Sequence, residues 1–392
     1  MADPWLTIIG LNEDGLGGLT LASRAALTSA EIVFGSPRHL ALAAVRGREW
    51  GVPFSIEPVL AERGRQVVVL ASGDPFWHGA GGSLVGHLKP GEWRSFPVPS
   101  TFSLAANTMG WRLEDVICLG LHAAPLQRLR MVLAQGQKVI CLLRDGAAVA
   151  ELGAYLTANG FGASTLDVME SLGGTRAKLT KITPQEAVKH VFSAPVAVGV
   201  DCVGRGMQHT SGLPDAMFES DGQITKRPIR ALTLSALAPR AGDVMWDIGA
   251  GSGSVSIETL LAAPGSSAHA VEADTMRGVR ALGNAQAFGV SHRWHLHQGK
   301  ALDVVPGLPV PDLVFVGGGA SDDVLHAIWR RMPVGARLVL NAVTLETETL
   351  LYAWHGAKGG QLLRIDLAEA GPLGSRRGWE ASRPVVQWSV VK

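Results

Sequence analysis

The sequence predicts an α/β protein of two domains, the second built on a Rossmann-like, doubly wound sheet. Three observations carry this reading. Short apolar runs that end in glycine-bearing loops alternate with alanine- and leucine-rich helical stretches along the chain. A strand-turn-helix signature, Val244-Met-Trp-Asp-Ile-Gly-Ala-Gly-Ser-Gly-Ser-Val-Ser-Ile-Glu258, lies past the midpoint. The length of 392 residues exceeds one typical core and divides naturally into two domains of roughly 150–200 residues.

The signature carries the most chemistry. An apolar run ends at Asp247, and the turn Gly249-Ala250-Gly251-Ser252-Gly253 precedes residues at helical spacing. Glycines there admit positive φ and let a ligand lie against the main chain. The carboxyl end of a first sheet strand is where nucleotides bind. A dinucleotide fingerprint, G-x-G-x-x-G, sets a pyrophosphate on the helix N-terminus. Here the third glycine comes one residue early and an aspartate precedes the loop. Asp247 would repel a diphosphate but attract the ammonium and sulfonium of S-adenosylmethionine (SAM). Glu272, closing the next strand Ala268-His-Ala-Val-Glu272, suits the ribose hydroxyls of adenosine in either cofactor.

Bulk properties exclude several classes. A net charge of +1 with mixed signs offers no field for nucleic acid, though a small acidic ligand is compatible. Cys118, Cys141 and Cys202 are far apart and form no Cys-x-x-Cys pair, which argues against a disulfide framework or thiolate metal site and for a reducing, cytoplasmic setting. No apolar run reaches the ~18 residues of a membrane span, and Met1-Ala-Asp-Pro-Trp5 lacks the basic start of a leader. A soluble homo-oligomer is expected.

In the first half, Trp5–Ile9, Ala30–Phe34, Gln66–Leu70, Lys138–Leu143 and Val196–Val200 read as strands, with helices at Leu19–Ala30 and Ala147–Asn159. The strand at Gln66 runs into Ala71-Ser-Gly-Asp-Pro-Phe-Trp-His-Gly79, where Gly73, Asp74 and Pro75 form a tight turn that leaves a carboxylate at the strand's exposed end. Ser100, Thr101 and Ser103 follow a proline-bracketed extended piece and precede an alanine-rich helix, as capping hydroxyls do. These motifs, together with Leu172-Gly173-Gly174, resemble the tetrapyrrole (porphyrin and corrin) methyltransferases. The resemblance implies a two-lobed α/β fold over residues 1–205 that holds SAM in a cleft lined by Gly73, Asp74, Thr101 and Ser103, with Trp77 nearby. The first loop, Gly10-Leu-Asn-Glu-Asp-Gly15, departs from that family's Gly-x-Gly-Pro-Gly pattern.

Between Gly204 and Gly222 the chain turns polar and aperiodic, placing the domain boundary there, with 206–392 as the second domain. Gln223-Ile-Thr-Lys-Arg-Pro-Ile-Arg230 leads a helix to Leu237. Asp312–Val316 reads as the fourth strand of this sheet, Leu338–Glu346 as the fifth, and the segments from Gln361 and from Pro384 supply a last pair; Gly371–Trp379 reads as a basic loop between them. His295 and His297 share a strand face without a third ligand nearby in sequence, so no metal is expected. The ordered motifs Trp-Asp-Ile-Gly-Ala-Gly-Ser-Gly-Ser, Ile-Thr-Lys, Val-Gly-Gly-Gly and Asn-Ala-Val-Thr-Leu-Glu resemble the decarboxylating precorrin-6 methylases, which implies a class I SAM-dependent methyltransferase domain. Thr225 would touch the cofactor from a lid, and Ala301 would contact adenine.

Together the halves resemble the bifunctional methylases of cobalamin synthesis. The implied activity is SAM-dependent methylation of precorrin-6B at C-5, by the first domain, and at C-15 with decarboxylation of the ring-C acetate, by the second, giving precorrin-8X. A non-catalytic SAM-binding regulatory module is the alternative, and a dehydrogenase is disfavoured by the glycine spacing and Asp247. No catalytic nucleophile, triad or proton donor stands out. Gly317, Gly318 and Gly319 would admit a flat macrocycle. Its acetates and propionates call for forked cations, for which Arg38, Arg230, Arg376, Arg377 and Arg383 are the candidates.

Overall fold

A computed structural model of the chain describes residues 4–51 and 54–392; the leader reading at 1–3 therefore lies outside the described residues. The chain divides into two compact units, residues 1–126 with 132–206, and residues 127–131 with 207–392.

The first unit contains two five-stranded sheets. One is wholly parallel and comprises β1 (Leu6–Leu11), β2 (Ile32–Gly35), β3 (Arg48–Glu49), β4 (Val67–Ser72) and β5 (Trp93–Phe96) in the order β3-β2-β4-β1-β5. Its central strands β1 and β4 read as nearly continuous apolar runs because both faces are covered, with Ile9, Leu11 and Leu70 in one cluster and Leu6, Ile8 and Val69 in another. The loops leaving the carboxyl ends of β1, β2 and β4 consequently gather at one edge. The other sheet comprises β6 (Val116–Gly120), β7 (Lys138–Leu142), β8 (Thr165–Glu170), β9 (Lys178–Ile182) and β10 (Val196–Asp201), ordered β6-β7-β10-β8-β9. Only β6 and β7 pair in parallel. The helix Thr101–Met109 buries Phe102, Ala105 and Ala106 against Ile140, Met169 and Ala197 of this sheet. Its N-terminus is capped by Ser100, whose Oγ accepts the Ser103 amide at 3.1 Å.

The second unit holds one seven-stranded sheet of β11 (Val244–Ile248), β12 (Ser267–Glu272), β13 (Trp294–Gln298), β14 (Leu313–Val316), β15 (Arg337–Ala342), β16 (Gln361–Ile365) and β19 (Val385–Val391). The order is β13-β12-β11-β14-β15-β19-β16, parallel except for the two pairings of β19. Strand order reverses between β11 and β14, so the loops at Gly249 and Gly317 leave neighbouring strands at the switch point, where doubly wound sheets take their ligands. Helices cover both faces. Trp246, Val314, Leu340 and Trp388 anchor one core cluster, while Met245, Ile257, Phe315 and Trp294 anchor the other.

Two sequence expectations are corrected. The fifth strand ends at Ala342 rather than at Glu346, because Thr344 caps the helix Leu345–Lys358 by accepting the Thr347 amide at 3.3 Å. The basic loop at Gly371–Trp379 is an antiparallel hairpin of β17 (Ala368–Leu373) and β18 (Arg376–Ala381). Among the described residues no helix is long and apolar enough to cross a membrane.

Candidate active site

In the second unit the switch point opens into a cavity of about 1890 Å3. Single small-molecule sites occupy roughly 300–1,000 Å3, so this one has room for two ligands side by side. Of the residues singled out in the sequence, Thr225, Gly249, Ala250, Gly251, Ser252, Glu272, Ala301, Gly317, Gly318, Gly319 and Arg383 lie in its wall. The glycine loop is held by its neighbours: the Gly249 and Ala250 amides both donate to the Val271 carbonyl, at 2.9 and 3.1 Å. Glu272 secures the next turn. One carboxylate oxygen accepts the Gly251 amide at 2.8 Å and the other accepts Asp274 N–H at 2.9 Å. Each oxygen keeps a second lone pair, so the side chain can fix the loop and still receive hydroxyls.

Asp247 is buried, and neither carboxylate oxygen has a hydrogen-bond partner among the described residues. Burial lifts its pKa from 3.8 to about 6; the nearby Ser256 hydroxyl and amide, outside hydrogen-bonding geometry, pull weakly against that rise, and the charge of Glu272 adds to it. Asp247 itself is not among the residues of the cavity wall; the residues that follow it, Ile248 and Gly249, are. An orphaned carboxylate beneath a glycine-rich turn is a demand for a cation.

The structure corrects the expectation for Arg230. It is wholly buried and absent from the cavity wall. Its Nε donates to Glu258 Oε1 at 2.6 Å and one Nη to Asp215 Oδ1 at 2.9 Å, while the carbonyl oxygens of Thr225 and Leu213 each accept one further proton. Glu258 in turn accepts the amides of Gly212 and Leu213, at 2.7 and 3.0 Å. The guanidinium is therefore spent on shaping the stretch 212–225, whose Gly212, Pro214, Asp215 and Thr225 wall the cavity. Gly253 is corrected as well. It lies outside the wall at φ +71, and a Cβ there would stand 3.3 Å from Trp294 and 3.4 Å from Ala281 and Ile257, so it serves helix-sheet packing. Arg376 and Arg377 sit on the exposed hairpin strand β18 and do not reach the wall; the base of the hairpin does, through Leu367, Glu369, Ser382 and Arg383. Lys226, Arg227 and Lys300 also line the cavity. The Lys226-Arg227 pair was visible as a charged helix start, but a run of that kind is usually a solvated face.

The first unit has a smaller cavity, about 390 Å3, at the edge where the β1, β2 and β4 loops meet. Arg38, Asp74, Trp77 and Thr101 line it; Gly73 and Ser103 do not. Gly73 uses its carbonyl to accept the Val98 amide at 3.3 Å, and Ser103 belongs to the helix cap. Asp74 accepts the Phe76 amide at 2.9 Å, and Trp77 lies 5.0 Å from the Phe102 ring. Arg38 is ion-paired with the buried carboxylate of Glu13 and donates to Ser72 Oγ at 2.8 Å, which leaves it only partly available to an anion. Beside it, burial first and the Arg38 charge second push His39 down to about 4.

Strand pairing also brings His269 against His295 and His297, with ring centroids 5.0 and 5.2 Å away. The rings stack, His269 Nδ1 and His297 Nε2 share a hydrogen bond of 2.9 Å, and no group of three or more candidate ligands among the described residues is arranged to hold a metal.

Residues 6–183 match the family described as Tetrapyrrole (Corrin/Porphyrin) Methylases, and residues 216–392 match the Precorrin methyltransferase domain. The chain is 42% identical over 406 aligned residues to the precorrin-6Y C(5,15)-methyltransferase (decarboxylating) of Sinorhizobium sp, an alignment covering 100% of this chain and 97% of that protein. It is 36% identical to the protein of the same name from Mycobacterium tuberculosis (strain ATCC 25618 / H37Rv), over 99% of this chain and 100% of the other. Among solved structures, the C-terminal domain of precorrin-6Y C5,15-methyltransferase from Rhodobacter capsulatus is 49% identical, covers 47% of this chain and 100% of its own, and superposes with a TM-score of 0.46.

Arg230→Met should leave Glu258 as an uncompensated buried charge and cost the second unit about 3–5 kcal/mol. The measurement is denaturant unfolding of the whole chain, with Arg230→Met/Glu258→Leu expected to recover part of the loss. Gly253→Ala, strained in backbone and tight in side chain, should cost about 1–3 kcal/mol in the same experiment.

Proposed function

The chain belongs to the precorrin-6Y C(5,15)-methyltransferase (decarboxylating) family, and from that membership we propose that it methylates precorrin-6B at C-5 and C-15 from SAM and removes the ring-C acetate carboxyl. The observation that carries the cofactor assignment is the unpartnered Asp247 carboxylate beneath the glycine loop. In this reading Asp247 holds the ammonium of the methyl donor, Glu272 accepts the ribose hydroxyls, and the backbone at Ala301 faces adenine. SAM supplies the electrophilic methyl group when bound.

The protein's contribution is mainly positioning. A reduced tetrapyrrole has electron-rich bridge carbons of its own, and in-line approach at near-attack distance replaces any need for a covalent intermediate. The Gly317–Gly319 turn lets the flat ring approach the main chain, and Lys226, Arg227 and Arg383 receive its carboxylates. A cavity of about 1890 Å3 accommodates ring and donor together, as direct transfer requires. Loss of CO2 breaks the C–C bond and leaves its electron pair in the conjugated ring system, which is the sink, and a proton then completes the new methyl group. We assign C-15 methylation and decarboxylation to the second unit and C-5 methylation to the first, where Asp74, Trp77 and Thr101 line the donor cleft. The match of each half to a different methylase family supports this division.

Incubation with precorrin-6B and SAM should yield a product carrying two more methyl groups and lacking one CO2, read by mass spectrometry; an unaltered tetrapyrrole would overturn the reading. Arg227→Ala with Arg383→Ala should weaken substrate binding without changing SAM affinity, by calorimetry. Asp247→Asn should lower SAM affinity in the second unit about 10- to 100-fold, the worth of a hydrogen bond to a charged group. The sign of the pH effect follows from a carboxylate raised to about 6. The ammonium binds the ionised form, so affinity rises as pH climbs through about 6 and is flat above. In the cofactor-free protein the same group's stabilising contribution is complete below 3.8 and is lost as pH rises through about 6.

A further inference from the structure

We propose that His78 and His122 form the proton acceptor for methyl transfer in the first unit, an inference that rests on the function proposed above. Both imidazoles line the first-unit cavity, His78 from the loop after β4 and His122 from the segment just past β6. Their ring centroids lie 6.3 Å apart with the planes at 83°. Three features mark this as a built arrangement. His78 sits at φ +57, a left-handed conformation that is strained for a non-glycine residue and collects at functional sites. A Cβ on Gly120 would stand 3.0 Å from Cγ and Nδ1 of His78, so the glycine leaves the volume that the ring occupies. Neither ring is hydrogen-bonded to another described residue, and both are exposed where they line the cavity.

The chemistry supplies a proton for them to take. In each transfer the S–CH3 bond breaks with its electron pair left on sulfur, and a π pair of the tetrapyrrole forms the new C–C bond. Charge balance then leaves the alkylated ring with one proton to shed. The other charged groups around the cavity are poorly placed to take it. Glu13 is ion-paired with Arg38 and Arg176, Asp74 accepts the Phe76 amide, and Arg144 is a cation held by Asp145 and Glu151. Partial desolvation and the neighbouring His78 hold the exposed His122 below the ordinary 6.5, so the neutral ring prevails at neutral pH. The proton moves to a ring nitrogen of His122 and then to His78 or to water.

The test uses the full chain with His122→Gln and, separately, His78→Gly, which keeps the left-handed backbone. Entry of labelled methyl at C-5 is followed by NMR, SAM binding by calorimetry, and the imidazole titrations by NMR. His122→Gln should slow C-5 labelling about 100-fold, the low end for general base catalysis, with SAM binding unchanged and partial rescue by added imidazole. His78→Gly should move the His122 titration up toward 6.5. Unchanged C-5 labelling in both variants overturns the proposal, as does a loss that accompanies lost SAM binding and resists imidazole. Wild-type protein that binds SAM but labels no tetrapyrrole carbon overturns the functional reading instead.

Discussion

The buried pair of Arg230 and Glu258 is the constraint on which the larger site depends. Moving two such charges out of water costs several kcal/mol per ion, and mutual attraction recovers this only when the remaining protons and lone pairs are also satisfied. Here most of them are, by Asp215, by the carbonyls of Thr225 and Leu213, and by the amides of Gly212 and Leu213. The partners supplied by the backbone all lie in one irregular stretch that has no strand or long helix to define its course. The ion pair thus does for residues 212–225 what a hydrogen-bond ladder does for the sheet, and one wall of the cavity takes its shape from it.

The opposite wall depends on the sheet. Parallel pairing of β11 with β14 brings two glycine-rich turns side by side, close enough that a Cβ on Gly249 would stand 2.6 Å from the Gly318 carbonyl oxygen. Backbone thus packs on backbone at the floor, with the carboxylates of Asp247 and Glu272 close to the turn. Burial raises the pKa of Asp247, and its oxygens lack hydrogen-bond partners among the described residues. In the first unit, lobes with different strand pairing meet at a smaller cleft, and its charged groups are largely paired among themselves.

Legibility from sequence followed the range of the interaction. The glycine turn and Glu272 are readable because β11, its loop and β12 are local and periodic, and the wall contains Glu272 and nearly all of that turn, though not Asp247. The central strands of both units were readable for the same reason, whereas the edge strands β3, exposed throughout, and β5, half-buried, are short and carry no clear alternation. Arg230 was misjudged because its partners lie at positions 213, 215, 225 and 258, and nothing at position 230 announces them. Arg376 and Arg377 were misjudged because a glycine-bearing basic run looks like a loop until β17 is seen to pair with β18. Strand register hid the meeting of His269 with His295, and the left-handed backbone at His78 has no signature in composition.

The chain does not pass from one unit to the next in a single step. Residues 127–131 belong to the second unit, although the first resumes at 132 and continues to 206. Arg130 lies 5.2 Å over the Phe288 ring, and a Cβ on Gly289 would come within 2.4 Å of the Gln127 carbonyl oxygen. A truncation placed at the obvious linker therefore removes this peptide from the body it completes and strands it on the other fragment. The aromatic surface at Phe288 would then be bared, so recombinant halves with matching ends would not be equivalent to the folding units of the intact polypeptide.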